Sequence, residues 1–347
     1  MTGALLHCQV SYGPSAVAPT AIPAPGPAQS QSKELSRDPR KGRLQLLVSV
    51  DWEGGDLREE NLRAFEDLRG RFPQVRLVHF LNAAYYRTGA SFAAITATTR
   101  RVLRPGDELG LHLHGWRTLF QASGVTFRPG PRFNIREPLV VDGPECAYDC
   151  GIDVPIGLYT SDELRKVVRY SIAMLASQGF GRAKSFRTGG WMLRQSVRDA
   201  IAAEGITRDH SDVATTFLAY KLQGSLLWGW LQELWPNTTD IAQPYVLPTS
   251  TTPLIEVPDN GALAGYTNAA QMVEMFQHNK AVYLADPSKN VVLSFGFHQE
   301  LSKRDLPDLM GGLQKIYEVC AAENLPLESV TSEMIEARSS LSLASNL

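Results

Sequence analysis

The sequence predicts an α/β fold in which helices pack outside a mainly parallel sheet, either closed into a barrel or open. Short apolar runs rich in β-forming residues alternate along the chain with segments of helical periodicity, and this alternation is typical of parallel sheets. Polar residues suited to chemistry follow several of the apolar runs. In both architectures, loops after the carboxyl ends of the strands carry the functional groups.

Each predicted strand is a run of apolar residues, and each predicted helix has apolar residues three or four positions apart. The strands are predicted over residues 44–50, 75–81, 108–114, 183–187, 253–257 and 291–297. The helices are predicted over 57–70, from Ser91 to about 103, and over 161–177, 194–204, 268–279 and 305–323. Two stretches rich in proline and glycine, 117–160 and 212–265, are predicted as long insertions.

The 347 residues predict one folded domain over 43–338, with a linker-like segment before it (1–42) and a short tail after it (339–347). A net charge of -2 gives no global attraction to nucleic acid, so no nucleic-acid partner is expected. No apolar run approaches the roughly 18 residues that indicate a membrane span. The compartment stays open: cytoplasmic as written, or exported or lipid-anchored if the true start lies upstream.

Two of the four cysteines, Cys146 and Cys150, lie close together in a predicted loop. A local disulfide and two free thiols fit this spacing equally well, and half of a metal site is the weaker alternative. Cys8 and Cys320 are far from any partner in sequence.

Asp51 and Glu53 follow the first predicted strand. Because they are two residues apart, both carboxylates point to the same side of an extended segment. Carboxylates directly after a buried strand are costly unless a cation or solvent accepts their charge. The alternative is an acidic loop that begins the next helix.

His112 and His114 end the third predicted strand, again two residues apart and flanked by leucines. Both imidazoles can therefore face one point while the leucines face the core. Neutral imidazole is a good zinc ligand, and the alternating pair favours metal ligation over two separate core histidines.

Arg187 ends the fourth predicted strand, before the pair Gly189-Gly190, and His298 follows the last one. Glycine lets backbone N–H groups approach a ligand, and arginine holds a carboxylate in a fixed orientation. Each signal alone has a structural alternative, a helix-start turn for the first and a core histidine for the second. The carboxylate pair, the histidine pair, Arg187 and His298 each follow a different predicted strand. Because strand ends converge in space, these four features together indicate a divalent-metal hydrolase site.

These motifs, over residues 44–335, resemble the polysaccharide deacetylase family, also called the NodB homology domain or carbohydrate esterase family 4. The resemblance implies a distorted (β/α) barrel with long loop insertions. It also implies that Asp51 is the catalytic base, that Glu53 and His112 are metal ligands and that His298 is the catalytic acid.

Several motifs depart from the family pattern. The family's second histidine lies four residues after the first, where this chain has Trp116, so His114 or a water must take its place. The arginine motif R-x-P-Y has become Arg187-Thr188-Gly189-Gly190, and Gly296 replaces the usual leucine before the last histidine. Either Asp209 or Asp212 could supply the acidic partner of the arginine.

The resemblance further implies one divalent metal ion, with zinc expected and cobalt or nickel as alternatives, bound by Glu53, His112 and His114. The backbone near Gly190 would stabilise the oxyanion, with Trp191 and Trp116 as candidate substrate contacts. The implied substrate is an acetylated carbohydrate that loses an N-acetyl or O-acetyl group. Two alternatives are an amidase acting on a small non-sugar amide and an inactive carbohydrate-binding relative.

Overall fold

The computed structural model describes residues 42–337. The predicted linker, apart from Gly42, lies outside the described residues, as do Cys8 and the predicted tail.

Within residues 42–337 the chain forms nine strands and nine α-helices. The strands are β1 (Leu44–Asp51), β2 (Leu77–Leu81), β3 (Glu108–Leu113), β4 (Ser185–Thr188), β5 (Arg208–Asp209), β6 (Tyr245–Leu247), β7 (Leu254–Glu256), β8 (Val291–His298) and β9 (Leu327–Val330). The helices are α1 (Glu59–Arg71), α2 (Phe92–Arg100), α3 (Arg117–Ala122), α4 (Ser161–Ser177), α5 (Gln195–Ala203), α6 (Ala219–Leu222), α7 (Leu226–Leu234), α8 (Ala269–Ala285) and α9 (Ser302–Ala322).

The sheet has the order β6-β7-β5-β4-β3-β2-β1-β8. All pairs along this path are parallel except β6 with β7, and β9 pairs with the first half of β1. The predicted α/β class with a mainly parallel sheet is therefore confirmed. Each predicted strand and helix is present, with ends shifted by a few residues.

The two ends of the sheet meet through the segment that follows β7. The N–H of Gly261 donates to the carbonyl of Ser294 (2.8 Å), and the N–H of Ala264 donates to that of Gly296 (2.7 Å). These bonds join the chain after β7 to β8, so the sheet curls into a distorted barrel, as predicted.

Side-chain amides complete the junction at the start of β8, where strand pairing is missing. Asn260 accepts from the N–H of Ser294 (2.8 Å) and donates to the carbonyl of Val292 (2.9 Å). Gln243 accepts from the N–H of Val292 (2.8 Å) and donates to the same carbonyl (3.0 Å). Buried backbone groups need such partners, so two amides replace part of a strand.

The helices cover the outside of the barrel, which buries the strands on both faces. Helix α4 begins at a capping box in which Thr160 and Glu163 bond each other's backbone N–H groups. The N-cap is therefore one residue earlier than the predicted start of this helix. No helix between residues 42 and 337 has the length and apolar character needed to cross a membrane.

Cys146 and Cys150 form a disulfide. Of the two alternatives, a local disulfide and two free thiols, the structure therefore has the disulfide. The bond lies in the 117–160 insertion, packed against Leu139 and Val154. The thiol of Cys320 is free and buried.

A cluster of buried carboxyl groups lies where β5 meets β7. Asp209 and Glu256 are neighbours in the strand pairing, and the N–H of Asp212 donates to Glu256 (2.9 Å). Asp212 itself accepts from the hydroxyls of Thr238 (2.5 Å) and Tyr245 (3.0 Å). Burial raises the pKa of Asp209 and of Asp212 to about 6, and it raises that of Glu256 well above its usual value. The cluster is therefore protonated at mildly acidic pH.

This cluster predicts a pH-dependent stability. A carboxyl group with a raised folded-state pKa favours folding below its unfolded pKa, about 4, and this contribution is lost as the pH rises through about 6. Asp212→Asn mimics the protonated form. The free energy of unfolding of this variant should therefore rise relative to the wild type, by about 1–3 kcal/mol between pH 4 and pH 7.5. Urea denaturation at both pH values measures the difference.

The matched control is Asp162→Asn, at a side chain that is 90% exposed. The difference in free energy of unfolding between this variant and the wild type should change little from pH 4 to pH 7.5. A difference between Asp212→Asn and the wild type that stays constant from pH 4 to pH 7.5 would contradict a protonated cluster.

Candidate metal centre and catalytic site

The site lies at the carboxyl ends of β1, β3, β4 and β8. Strand register sets its geometry, because Asp51 pairs with His298 across β1 and β8, and His112 pairs with Arg187 across β3 and β4. Four side chains that are far apart in the sequence are thereby brought to one end of the barrel.

Glu53, His112 and His114 form a candidate metal centre, with one ligand atom from each within 4.8 Å of the others. Nε2 of His114 is 2.7 Å from one Glu53 carboxylate oxygen, and Nε2 of His112 is 3.7 Å from the other. Nε2 of His112 is also buried without a hydrogen-bond partner among the described residues. A buried nitrogen facing a carboxylate and a second imidazole fits a divalent cation, and two nitrogens with one oxygen suit zinc.

The outer nitrogens of both imidazoles donate to backbone carbonyls. Nδ1 of His112 lies 2.8 Å from the carbonyl oxygen of Arg187, and Nδ1 of His114 lies 2.5 Å from that of Ile152. Since a carbonyl only accepts, each proton is on Nδ1 when the ring is neutral, and each Nε2 lone pair faces the site. Such bonds orient metal-ligating histidines.

The charges at the centre depend on each other. Burial by itself would raise the pKa of Glu53, but the charge of His114 and the hydrogen bond from that imidazole hold it well below its usual value. Burial likewise opposes a charge on His114, yet the adjacent Glu53 carboxylate raises the pKa of that imidazole. The Glu53 carboxylate therefore favours the protonated form of His114 when no cation is bound. Cation binding must displace this proton.

The main chain of Glu53 is held by three side chains. Its N–H donates to Glu300 (3.2 Å), and its carbonyl accepts from the indole of Trp116 (2.7 Å) and from the amide of Asn82 (3.0 Å). Trp116, predicted as a candidate substrate contact, is thus buried with its indole N–H on the Glu53 loop. The next residue, Gly54, has a φ of +92°, and a Cβ there would lie 2.9 Å from the indole nitrogen.

Arg187 is a buried bridge between two carboxylates. Its guanidinium lies 3.0 Å from Asp51 and 3.6 Å from Asp259, and it also donates to the hydroxyl of Ser49 (2.9 Å). Asp259 accepts in addition from the indole of Trp191 (3.0 Å). Asp209 and Asp212, the two alternatives that the sequence left open for this partner, belong instead to the carboxyl cluster where β5 meets β7. Asp259 lies two residues beyond the predicted strand 253–257. The rule that functional groups follow the carboxyl ends of parallel strands could therefore have identified it.

His298 also lies beside Glu53, with Nε2 3.3 Å from the carboxylate oxygen that faces His112. Its Nδ1 is buried without a hydrogen-bond partner among residues 42–337. Gly296, which replaces the family's leucine before His298, is required sterically. A Cβ at this position would lie 2.3 Å from the side chain of Leu263.

The two glycines after β4 are required by their neighbours. A Cβ on Gly189 would lie 2.4 Å from the ring of His114, and a Cβ on Gly190 would lie 2.6 Å from the ring of Phe133. The family's proline and tyrosine cannot fit here. Trp191, also predicted at the site, is buried and lines the cavity beside Gly190.

A cavity of about 470 Å³ opens above the metal centre, and Asp51, His112, His114 and His298 lie at its base. The insertions contribute part of its lining, with Phe133 and Ile152 from 117–160 and Leu227 from 212–265. Both insertions therefore help to shape the cavity.

Two further histidines, His79 and His210, are buried away from the cavity. His79 is buried beside Asp107 and Arg69 and accepts from the indole of Trp52 (3.3 Å). His210 is buried and contacts the hydroxyl of Ser332 (2.7 Å).

No protein-family model matches the sequence, and no curated protein is similar to it. The fold is similar to that of an allantoinase, with 14% identity over 84% of this chain and 89% of the other and a TM-score of 0.49. A probable polysaccharide deacetylase from Pseudomonas aeruginosa is 16% identical over 84% of this chain and 89% of the other, with a TM-score of 0.47. A family 4 carbohydrate esterase from Streptomyces lividans is 10% identical over 86% of this chain and 97% of the other, with a TM-score of 0.39. The chain is thus distantly similar in structure to proteins of the family that its motifs resemble.

Proposed function

We propose that this protein is a metal-dependent hydrolase that removes an acyl group, N-acetyl or O-acetyl in the simplest case, from a carbohydrate. The observation that carries this proposal is the convergence of Glu53, His112 and His114, with Asp51 and His298 beside them. Two candidate proton-transfer groups next to a cation site are what hydrolysis of an amide or ester requires.

Glu53, His112 and His114 would hold the cation. When bound, it would lower the pKa of a water and polarise the substrate carbonyl. Zinc suits the two imidazoles and one carboxylate, and cobalt or nickel would suit them as well.

Asp51 would act as the base. One of its oxygens is fixed by Arg187 at 3.0 Å, and its carboxyl group lines the base of the cavity. The ion pair orients the carboxylate, which would take a proton from the attacking water. Asp259, on the far side of Arg187, would keep the guanidinium in place.

His298 would act as the acid. Its imidazole lies at the same level of the barrel as Asp51, on the neighbouring strand. As the carbon–nitrogen or carbon–oxygen bond breaks, Nε2 would give a proton to the leaving amine or alcohol. Water is consumed, and the products are a carboxylic acid and the deacylated carbohydrate. A donor of this kind typically contributes about 10²–10⁴ in rate.

A small non-sugar amide is the second candidate substrate, and the contribution of both insertions to the cavity lining favours it. Phe133, Ile152 and Leu227 come from the insertions and line the cavity above the site. Such walls suit a compact molecule or a chain end better than the middle of a long polymer. Acetate release from chitooligosaccharides, peptidoglycan fragments and acetylated xylan, compared with small amides, would separate the two candidates.

His112→Ala is predicted to weaken zinc binding. Loss of a residue that only supports a ligand costs about 10–100-fold in metal affinity, so loss of a ligand should cost at least about 100-fold. Calorimetric titration with zinc measures it. His278→Ala is the control, because that imidazole is 50% exposed and pairs with Asp240. Equal affinities of His112→Ala and the wild type would refute the proposed ligand.

Asp51→Asn is predicted to lower turnover by about 10²–10⁴ and to leave zinc affinity within a few-fold, because Asp51 acts on the proton and not on the cation. Acetate release by the zinc-loaded protein measures turnover. Asp67→Asn, at an exposed side chain on α1, is the control.

An Asp51→Asn variant that retained wild-type turnover would rule out the base. A wild type that binds zinc but releases no acyl group from any of these substrates would favour the inactive carbohydrate-binding relative.

A further inference from the structure

One wall of the cavity is formed by three apolar side chains, Phe133, Ile152 and Leu227, which we call the apolar wall. All three belong to the two insertions. Phe133 and Leu227 are buried and Ile152 is half-buried. The wall is therefore a packed surface inside the molecule. None of the proton-transfer or metal-binding steps proposed above involves it.

The apolar wall lies on the His114 side of the site. The ring centroid of Phe133 is 6.5 Å from that of His114, and the carbonyl of Ile152 bonds His114. His298 faces a different aromatic residue, since its ring centroid lies 6.2 Å from that of Tyr266. The metal ligand His114 and the proposed acid His298 thus have different aromatic neighbours.

Several backbone polar groups of this wall are already paired. The carbonyl of Ile152 accepts from His114, the N–H of Phe133 donates to Asp153 (2.8 Å), and the N–H of Leu227 donates to Phe133 (2.9 Å). The carboxylate of Asp153 pairs with Arg132 at 2.7 Å. A ligand therefore meets mainly carbon atoms on this wall, and sugar hydroxyls placed there would lose hydrogen bonds to water without replacement.

The chemistry decides which part of a substrate faces the apolar wall. A carbonyl carbon at the metal centre has two substituents. The one that leaves must lie at His298, because His298 gives it a proton. The other, the acyl chain, would then extend to the His114 side of the cavity, where Phe133 and Ile152 lie, with Leu227 bonded to Phe133.

We propose that the apolar wall binds an apolar acyl group larger than acetyl. This inference rests on the proposed hydrolase function and names its acyl substrate class. The cavity, at about 470 Å³, is roughly three times the ~150 Å³ that holds a benzene molecule. A single methyl group leaves most of such a wall uncovered, whereas a chain of several carbons or an aromatic ring covers it.

A series of 4-nitrophenyl esters from acetate to hexanoate, given to the zinc-loaded protein, tests the proposal. The leaving group stays constant, so only contacts of the acyl chain change. Each methylene that enters the wall should raise kcat/KM by about fourfold, the factor that corresponds to transfer of one methylene out of water. A kcat/KM that is highest for acetate and falls with each added carbon would overturn the proposal.

Two substitutions at Leu227 should act in opposite directions. Leu227→Ala removes part of the wall and should reduce the gain per methylene. Leu227→Phe fills space in the wall and should lower the kcat/KM of hexanoate more than that of acetate. Leu226→Ala is the matched control, because Leu226 is the preceding residue of α7 and does not line the cavity. The same chain-length dependence in both Leu227 variants and in the control would contradict a role for this wall.

Binding of the carboxylate products separates this inference from the proposed function. Calorimetry on the zinc-loaded protein should give a lower Kd for hexanoate than for acetate, and Leu227→Ala should narrow the ratio. This readout needs no turnover. Tight hexanoate binding without hydrolysis would refute the proposed hydrolase function but support acyl binding by the apolar wall. Hydrolysis with equal Kd values for acetate and hexanoate would refute acyl binding by the apolar wall but support the proposed hydrolase function.

Discussion

The Glu53 carboxylate, with three imidazole nitrogens within 3.7 Å of its oxygens, is the feature on which the site depends. Such a group is costly to bury unless positive charge accompanies it. Without a cation, the adjacent His114 is the group whose protonation the carboxylate favours. A divalent cation supplies positive charge more fully, since it contacts oxygen and nitrogen lone pairs directly. The parallel strands bring these groups together, because β1, β3 and β8 end at the same rim of the barrel.

The altered histidine motif is explained by the way Glu53 is held. In the family pattern, the position four residues after His112 carries the second histidine, and here Trp116 occupies it. The indole donates to the Glu53 carbonyl, while His114 brings its Nε2 to the Glu53 carboxylate. Trp116 thus positions the Glu53 loop, and in the proposed metal centre His114 takes the place of the family's second histidine. Gly189 fits the same change, because a larger residue would meet the His114 ring.

Much of the fold could be predicted because most strands are continuous apolar runs and most helices have clear periodicity. The strands β5 and β6, with two and three residues, are too short to give a pattern. The partner of Arg187 could not be chosen by proximity in sequence. Asp259 reaches Arg187 only because the chain after β7 crosses to β8, a contact set by Asn260 and the backbone of Gly261. The roles of Phe133 and Leu227 also escaped prediction, since irregular segments carry no periodicity that assigns a side chain to a face.

The central claim is that Glu53, His112 and His114 bind one divalent cation. X-ray absorption at the zinc edge of the zinc-loaded protein tests it most directly. We expect one zinc per chain with two imidazole nitrogens at about 2.0–2.1 Å and carboxylate or water oxygens at about 2.0–2.2 Å. A spectrum without imidazole scattering, or with sulfur at about 2.3 Å, would place the metal elsewhere and contradict the account.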